Sequence, residues 1–427
     1  MNEYRRLELE RPAKSRKEEY KYFVGTTLKN PLTYKPFEKM VFKFRGKFMD
    51  DYLDIPCVSY TLISDDGQND EGYIERSEDG WFYLEASISK AGFVYIQARA
   101  CDANREPIEG IALFNASAGA DVESILRATP IPEDYDAVWD RLWREVEETP
   151  PELLFCESCE GDPDYENYDM RIRAPRGEYV SVAVAYPKNA KPKSLKCVMT
   201  FQGYGVGPAK PKPLAGYLSI VVCAHCLPNG ESKEFYADMR DGALKGYGFD
   251  AVENESVETS YWTRMLLRDM QALRYFRDHE LLTGEDYYFV GSSQGGMQAC
   301  NMAAHFDRST AVILNVPWLS DIYGHELAGR RANRMPKGKG VVYFDTAIAA
   351  GYLKCPAYII SGLGDATCNG GTQMALFNSI NSPKYIEFYQ NKTHSLTIPW
   401  DKNMYALGDT SLADKFGEHT KNYYAYN

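Results

Sequence analysis

With 427 residues, a net charge of -12 and 44% hydrophobic residues, the chain is long enough for two or three domains around a large core. Its acidity argues against nucleic acid as a partner, which needs a basic face, and no run approaches the ~18 uninterrupted apolar residues of a membrane helix. A neutral or cationic small molecule is the easiest partner to accommodate.

In chain order, Met1 to Glu10 carries charges with no apolar stretch of about 7 to 15 residues behind them, so no signal peptide is expected, and a cytoplasmic setting is. Residues 1–34 are charged and tyrosine-rich without a period and read as an extended arm. Residues 35–120 alternate with period 2 through Val41 to Arg45, Val58 to Ile63, Gly72 to Arg76, Trp81 to Ala86 and Phe93 to Ala100. Asp66-Gly67, Asp79-Gly80 and Ala91-Gly92 fall between them as hairpin signals, which predicts a small all-β, sandwich-like domain. Such a domain suits packing or oligomer contacts, with glycan binding through its aromatics as the alternative.

The small residues from Gly119 and the Thr129-Pro130-Ile131-Pro132 string mark a boundary, and residues 130–427 are assigned to a second domain. It opens with a helix from Glu133 to Trp143, whose Tyr135, Val138, Trp139 and Leu142 fall at helical spacing. Strands at Tyr168 to Ile172 and Val180 to Tyr186 form an antiparallel opening. Compact apolar strands then follow at Cys197 to Phe201, Ile220 to Ala224, Tyr287 to Val290, Ala311 to Asn315, Ala357 to Gly362 and Tyr385 to Tyr389. A long helix over Val257 to Leu282 and the general alternation predict an α/β fold with a mostly parallel, doubly covered sheet. Residues 318–355 break the rhythm with a basic run, Arg330, Arg331, Arg334, Lys337 and Lys339, and read as an insertion capping the sheet edge or forming an interface. Cys156-x-x-Cys159 and Cys223-x-x-Cys226 are much farther apart than the ~15 to 20 residues of a zinc ribbon. Reduced thiols and no metal or cofactor are therefore expected.

The chemistry centres on Gly291-Ser292-Ser293-Gln294-Gly295, which follows an apolar strand and precedes a small-residue helix, the context of a nucleophile elbow. A serine hydroxyl needs a base and the base an orienting acid, in the chain order serine, acid, histidine for this fold class. Of six histidines only His394 and His419 come late enough; His394 follows a strand, whereas His419 lies in a polar tail. Asp365 follows the preceding strand and is the expected acid, with Asp345 as fallback. Oxyanion donors are expected from the backbone N–H of Gln294 and, in the Phe201-Gln202-Gly203-Tyr204-Gly205 turn, of Tyr204.

The Ser-Gln-Gly-Gly string, the Phe201 to Tyr204 turn, Gly362-Leu363-Gly364-Asp365-Ala366-Thr367-Cys368 and Asn315-Val316-Pro317-Trp318-Leu319-Ser320-Asp321 together resemble the acetyl xylan esterase and cephalosporin-C deacetylase family, carbohydrate esterase family 7. The resemblance spans about residues 130–400. It implies an α/β-hydrolase that deacetylates short xylo-oligosaccharides and related small esters without a metal, often as a ring-like homo-oligomer. By position it gives Ser293, Asp365 and His394 as the triad and the Tyr204 and Gln294 amides as the oxyanion hole. The chain departs from the family pattern at Arg240-Asp241-Gly242 for Arg-Gly-Gln, at Gln202-Gly203-Tyr204 for His-Gly-Tyr, at Ser395 for the usual Glu, and in its β-rich N-terminal 120 residues. A serine exopeptidase and a non-catalytic glycan-binding homologue are the competing readings.

Overall fold

The computed structural model of the chain describes residues 21–331, 334–395 and 422–426. The early β-rich region forms two antiparallel sheets. Strand β2 (Met40–Phe48) pairs with β1 (Lys21–Thr27) along one edge, and along the other with β3 (Asp51–Tyr52) and β6 (Phe82–Ala86). The second sheet has the order β5 (Asn69–Glu75), β4 (Cys57–Ser64), β7 (Gly92–Cys101), β8 (Phe114–Ala120). Alternation along β2 turns Met40, Phe42 and Phe44 inward and leaves Lys43 and Arg45 outside. Between the sheets the Phe44 ring stacks on Phe114 at 4.3 Å, with Phe82 and Phe23 closing around it.

Asp66-Gly67 is a hairpin turn, with Ser64 N–H donating to Gln68 C=O, but the other two expected hairpins are not. Asp79-Gly80 and Ala91-Gly92 carry the chain from one sheet to the other, since β5 and β7 lie opposite β6. Each crossing lets apolar faces meet that a single meander would leave wet. Residues 21–27, expected in the arm, instead form β1, because Phe23 and Thr27 turn inward as alternate residues of an edge strand. Residues 1–20 of that arm, like His419, lie outside the described residues. Gly119 and Ala120, read as the start of a linker, end β8; its Ala116, Ala118 and Ala120 are small because the strand packs closely, not because the chain is loose.

The second region is built on one ten-stranded sheet, ordered β18 (Asn422–Tyr426), β17 (Lys384–Tyr389), β16 (Ala357–Gly362), β15 (Ser309–Asn315), β14 (Leu282–Ser292), β12 (Leu195–Phe201), β13 (Tyr217–Val222), β11 (Tyr179–Pro187), β10 (Tyr165–Arg173), β9 (Leu153–Ser158). Pairs from β13 through β12 to β18 are parallel, and those from β13 through β11 to β9 antiparallel. The parallel strands β12, β13, β16 and β17 are buried almost without break, as strands covered on both faces must be. Helices α1 (Tyr135–Glu148), α2 (Lys233–Asp241), α3 (Tyr261–Phe276) and α4 (Gln294–Ala304) precede α5 (Gly324–Ala328), α6 (Thr346–Ala350) and α7 (Gly370–Ser379). The apolar stripe of α1 is the expected one, extended by Val146. The helix expected over Val257 to Leu282 is shorter, because the Ser260 hydroxyl accepts from Trp262 N–H and caps its start.

Residues 318–355 do not form a cap throughout. Val341, Phe344 and Ala347 to Ala350 are buried in the main core, and only the earlier part meets the sandwich, where Arg331 N–H donates to the Asp65 carboxylate and Lys90 Nζ to Ala328 C=O. Arg330 is buried in an ion pair with Asp321, so that basic residue is structural. Among the described residues no helix is long and apolar enough to cross a membrane.

Phe44→Ala empties the stacked centre of the sandwich and is expected to cost about 3 to 5 kcal/mol, read as a lowered urea midpoint. A loss under about 1 kcal/mol would show that the stack contributes little.

Candidate active site

Strand β14 ends in a turn where Ser293 has φ 57 and ψ -118, a conformation that non-glycine residues rarely adopt. The neighbours are glycine for want of space: a Cβ on Gly291 would lie 1.9 Å from Gly295 O, and one on Gly295 2.3 Å from Phe201 O. The strained residue is held from both sides. Its N–H donates to Asn315 C=O at 2.9 Å, and its C=O accepts from Trp318 N–H at 3.0 Å and Met297 N–H at 3.2 Å.

Register brings the remaining parts to the same edge. Phe201 at the end of β12 is level with Gly291, which sets the Gln202 to Gly205 turn beside the elbow. Gly362 of β16 is level with Tyr389 of β17, so the loops after these strands run together. Leu363 N–H donates to Tyr389 C=O at 2.8 Å and Gly364 N–H to Lys392 C=O at 2.9 Å. A Cβ on Gly362 would sit 2.1 Å from Lys392 O, so the histidine loop comes in at backbone distance.

The result is a continuous line. Ser293 Oγ lies 2.9 Å from His394 Nε2, and His394 Nδ1 lies 2.9 Å from Asp365 Oδ2. Asp365 is fully buried, and its other oxygen accepts from Thr367 N–H at 2.7 Å and Cys368 N–H at 2.9 Å. Oδ2 is therefore left to accept from Nδ1–H, the tautomer in which Nε2 keeps a lone pair for the serine proton. Asp345, the fallback acid, has another task. It caps α6 by accepting from Ala347 N–H and also takes the Asp321 and Ile322 N–H groups, while burial raises its pKa to about 6.

The Tyr204 turn is clamped by residues the sequence reading missed. Tyr247 Oη donates to Gln294 Oε1 at 2.7 Å and accepts from Gly205 N–H at 3.0 Å, and its ring stacks on Tyr204 at 4.4 Å. His225, just past the end of β13, places Nε2 2.9 Å from Gly205 O and Nδ1 2.6 Å from Tyr261 Oη; burial lowers its pKa to about 4, which keeps it neutral. Its place directly after a parallel strand was the available signal. The Arg240-Asp241-Gly242 string sits exposed at the end of α2, with Arg240 paired to its neighbour. Behind the elbow, Gln298 joins Gln294 to the fully buried Asp269, donating to Asp269 Oδ2 at 2.7 Å. Among the described residues, the donor atoms close enough to share a metal ion are those of Asp365, Cys368 and His394, all within 4.8 Å of one another. The hydrogen bond between the acid and the imidazole accounts for much of that closeness. Cys156, Cys159, Cys223 and Cys226 are free thiols.

A family model described as acetyl xylan esterase (AXE1) matches residues 121–328 and 338–407. The acetyl esterase Axe7A of Xylanibacter ruminicola is 23% identical over 304 residues, 66% of this chain and 67% of that protein. Acetyl xylan esterase 1 from Thermoanaerobacterium sp. JW/SL YS485 superposes with a TM-score of 0.52 at 18% identity, over 69% of this chain and 96% of its own. An acetyl xylan esterase from Paenibacillus sp. R4 does so with a TM-score of 0.53 at 15% identity, over 70% and 98%. Both are α/β-hydrolases, the fold seen here.

Burial raises the Asp269 pKa from its ordinary 3.8 to about 8. Between those values the folded chain keeps a proton that the unfolded chain has released, so stability falls as pH rises through the window. Asp269→Asn is expected to flatten that fall, measured as the thermal midpoint from about pH 5 to about pH 8; an unchanged slope would mean the fall has another source.

Proposed function

The chain belongs to the acetyl xylan esterase family and is a carboxylic ester hydrolase, and we propose that it removes acetyl groups from acetylated xylo-oligosaccharides or related small sugar esters through an acetyl-enzyme on Ser293. The observation that carries this reading is the unbroken line from Ser293 Oγ through the His394 ring to Asp365 Oδ2.

In this mechanism His394 Nε2 takes the Ser293 proton as Oγ bonds to the acetyl carbon. The carbonyl oxygen becomes an oxyanion facing the Tyr204 and Gln294 N–H groups, and removing one such donor typically costs about 10²- to 10³-fold in rate. The intermediate collapses by breaking the bond to the sugar oxygen, which leaves with the proton from Nε2. Water, giving a proton to the same nitrogen, then attacks the acetyl-enzyme and releases acetate, and Ser293 recovers its hydrogen. Asp365 stabilises the imidazolium formed in both halves.

The surroundings favour a sugar as leaving group. Tyr204 is 44% exposed, its ring meets Phe249 edge-on at 5.8 Å, and Arg334 lies 4.4 Å above Phe249. An exposed aromatic surface beside a guanidinium suits the apolar face and hydroxyl rim of a pyranose.

Ser293→Ala is expected to abolish hydrolysis of p-nitrophenyl acetate with a nearly unchanged melting curve. Retained turnover would remove Ser293 from the mechanism. In a release assay across acetylated xylan, acetylated xylo-oligosaccharides, glucose pentaacetate, cephalosporin C and an aminoacyl-proline anilide, acetate release from the oligosaccharides is expected to lead; preference for the anilide would favour peptidase chemistry instead.

A further inference from the structure

Strand β8 pairs with β7 along one side; on the other, its end at Gly119 and Ala120 meets Pro31 and Tyr34, and Asn115 to Ser117 meet the two loops that carry Asp365 and His394. The Gln390 side chain there behaves like a strand residue: its Oε1 accepts from Ser117 N–H at 3.1 Å and its Nε2 donates to Ser117 C=O at 2.9 Å. Asn391 does the same one position on, accepting from Asn115 N–H at 3.0 Å and donating to Phe23 C=O of β1 at 2.5 Å. On the acid loop, Ser117 Oγ donates to Leu363 C=O at 2.6 Å. Gly364, next to Asp365, is approached so closely that a Cβ would lie 2.5 Å from Asn115 O. Asn391 adopts a left-handed φ of 53 where it makes these contacts.

We infer that β8 of the N-terminal sandwich is a positioning element for the active site, holding the acid and histidine loops at hydrogen-bonding distance. The family match begins at residue 121, just after β8 ends, so the β8 side of these contacts lies outside the matched region while the loop residues lie within it. The two loops are joined to each other by backbone bonds from Leu363 and Gly364, but those bonds fix only their mutual spacing. Contacts to β8 fix the pair against a rigid third body. A displacement of about 1 Å in a reacting group can cost about 10²-fold in rate, which makes such bracing consequential. The inference rests on Ser293, His394 and Asp365 being the catalytic groups.

The test uses the full chain with Asn391→Gly, which keeps the left-handed backbone accessible but removes both side-chain bonds. Gln390→Glu is its companion; it keeps the acceptor for Ser117 N–H and sets an oxygen against Ser117 C=O. In variants with wild-type circular dichroism, kcat on p-nitrophenyl acetate is expected to fall about 10²-fold while KM changes little, since Ser293 and the Tyr204 turn are untouched. Labelling of Ser293 by a fluorophosphonate should slow in parallel, because it depends on the same base. A kcat near wild type in the folded variants, or a raised KM with unchanged kcat, would overturn the inference. Should Gln390→Glu fail to fold, Asn391→Gly decides alone. Activity surviving in Ser293→Ala would sink the catalytic reading itself, a separate result from β8 having no influence.

Discussion

Ser293 is held at a backbone angle of φ 57, and the arrangement of the site depends on that one strained residue. Strain of this kind costs on the order of 1 to 3 kcal/mol and persists only where the surroundings determine it. Here a hydrogen bond to Asn315 C=O and two from the Trp318 and Met297 N–H groups fix both of its peptide groups, and the helix that follows is buried along nearly its whole length. The turn lifts the hydroxyl off the sheet edge and leaves the Gln294 amide at the first turn of α4, where backbone N–H groups favour negative charge. Gly291 and Gly295 follow from the same constraint, since the crossing backbones leave no room for a Cβ.

In the proposed mechanism a strained serine has no use without partners that arrive at the right height. Parallel register supplies this: Phe201 is level with Gly291, and Gly362 with Tyr389, so loops distant in sequence leave the sheet side by side. Burial then sorts the carboxylates. Asp365 has one oxygen occupied by backbone amides and the other directed at His394, whereas Asp345 has both oxygens engaged by amides. Two buried aspartates near the sheet edge thus have different roles because of the hydrogen bonds around them.

The elbow and the order of its partners were legible in the sequence because their requirements are local: glycine where backbones cross, and a polar residue just past an apolar strand. The central strands were legible because parallel strands are uniformly apolar. What could not be read was long-range pairing between unremarkable polar residues. Gln390 and Ser117 are 273 positions apart, and neither type in its context signals a partner. The two glycine turns that switch sheets look like hairpins because turn chemistry is the same whichever sheet the next strand joins. Val341 to Phe344 looks like a strand, yet forms a short helical turn whose apolar side chains fill the core, which is why Asp345 after it is a helix cap and not a strand-end acid. His225 and Tyr247 escaped notice for a similar reason: their function is to hold the Tyr204 turn through Gly205, and nothing in their local sequence points to that glycine.

The most direct measurement is peptide mapping of enzyme quenched in acid during turnover of p-nitrophenyl acetate. An acetyl group on the peptide containing Ser293, formed in a burst that precedes steady turnover or accumulates when deacetylation is slowed, is the expected result. Active enzyme whose acetyl group resides on a different residue would contradict the placement of the nucleophile at this elbow.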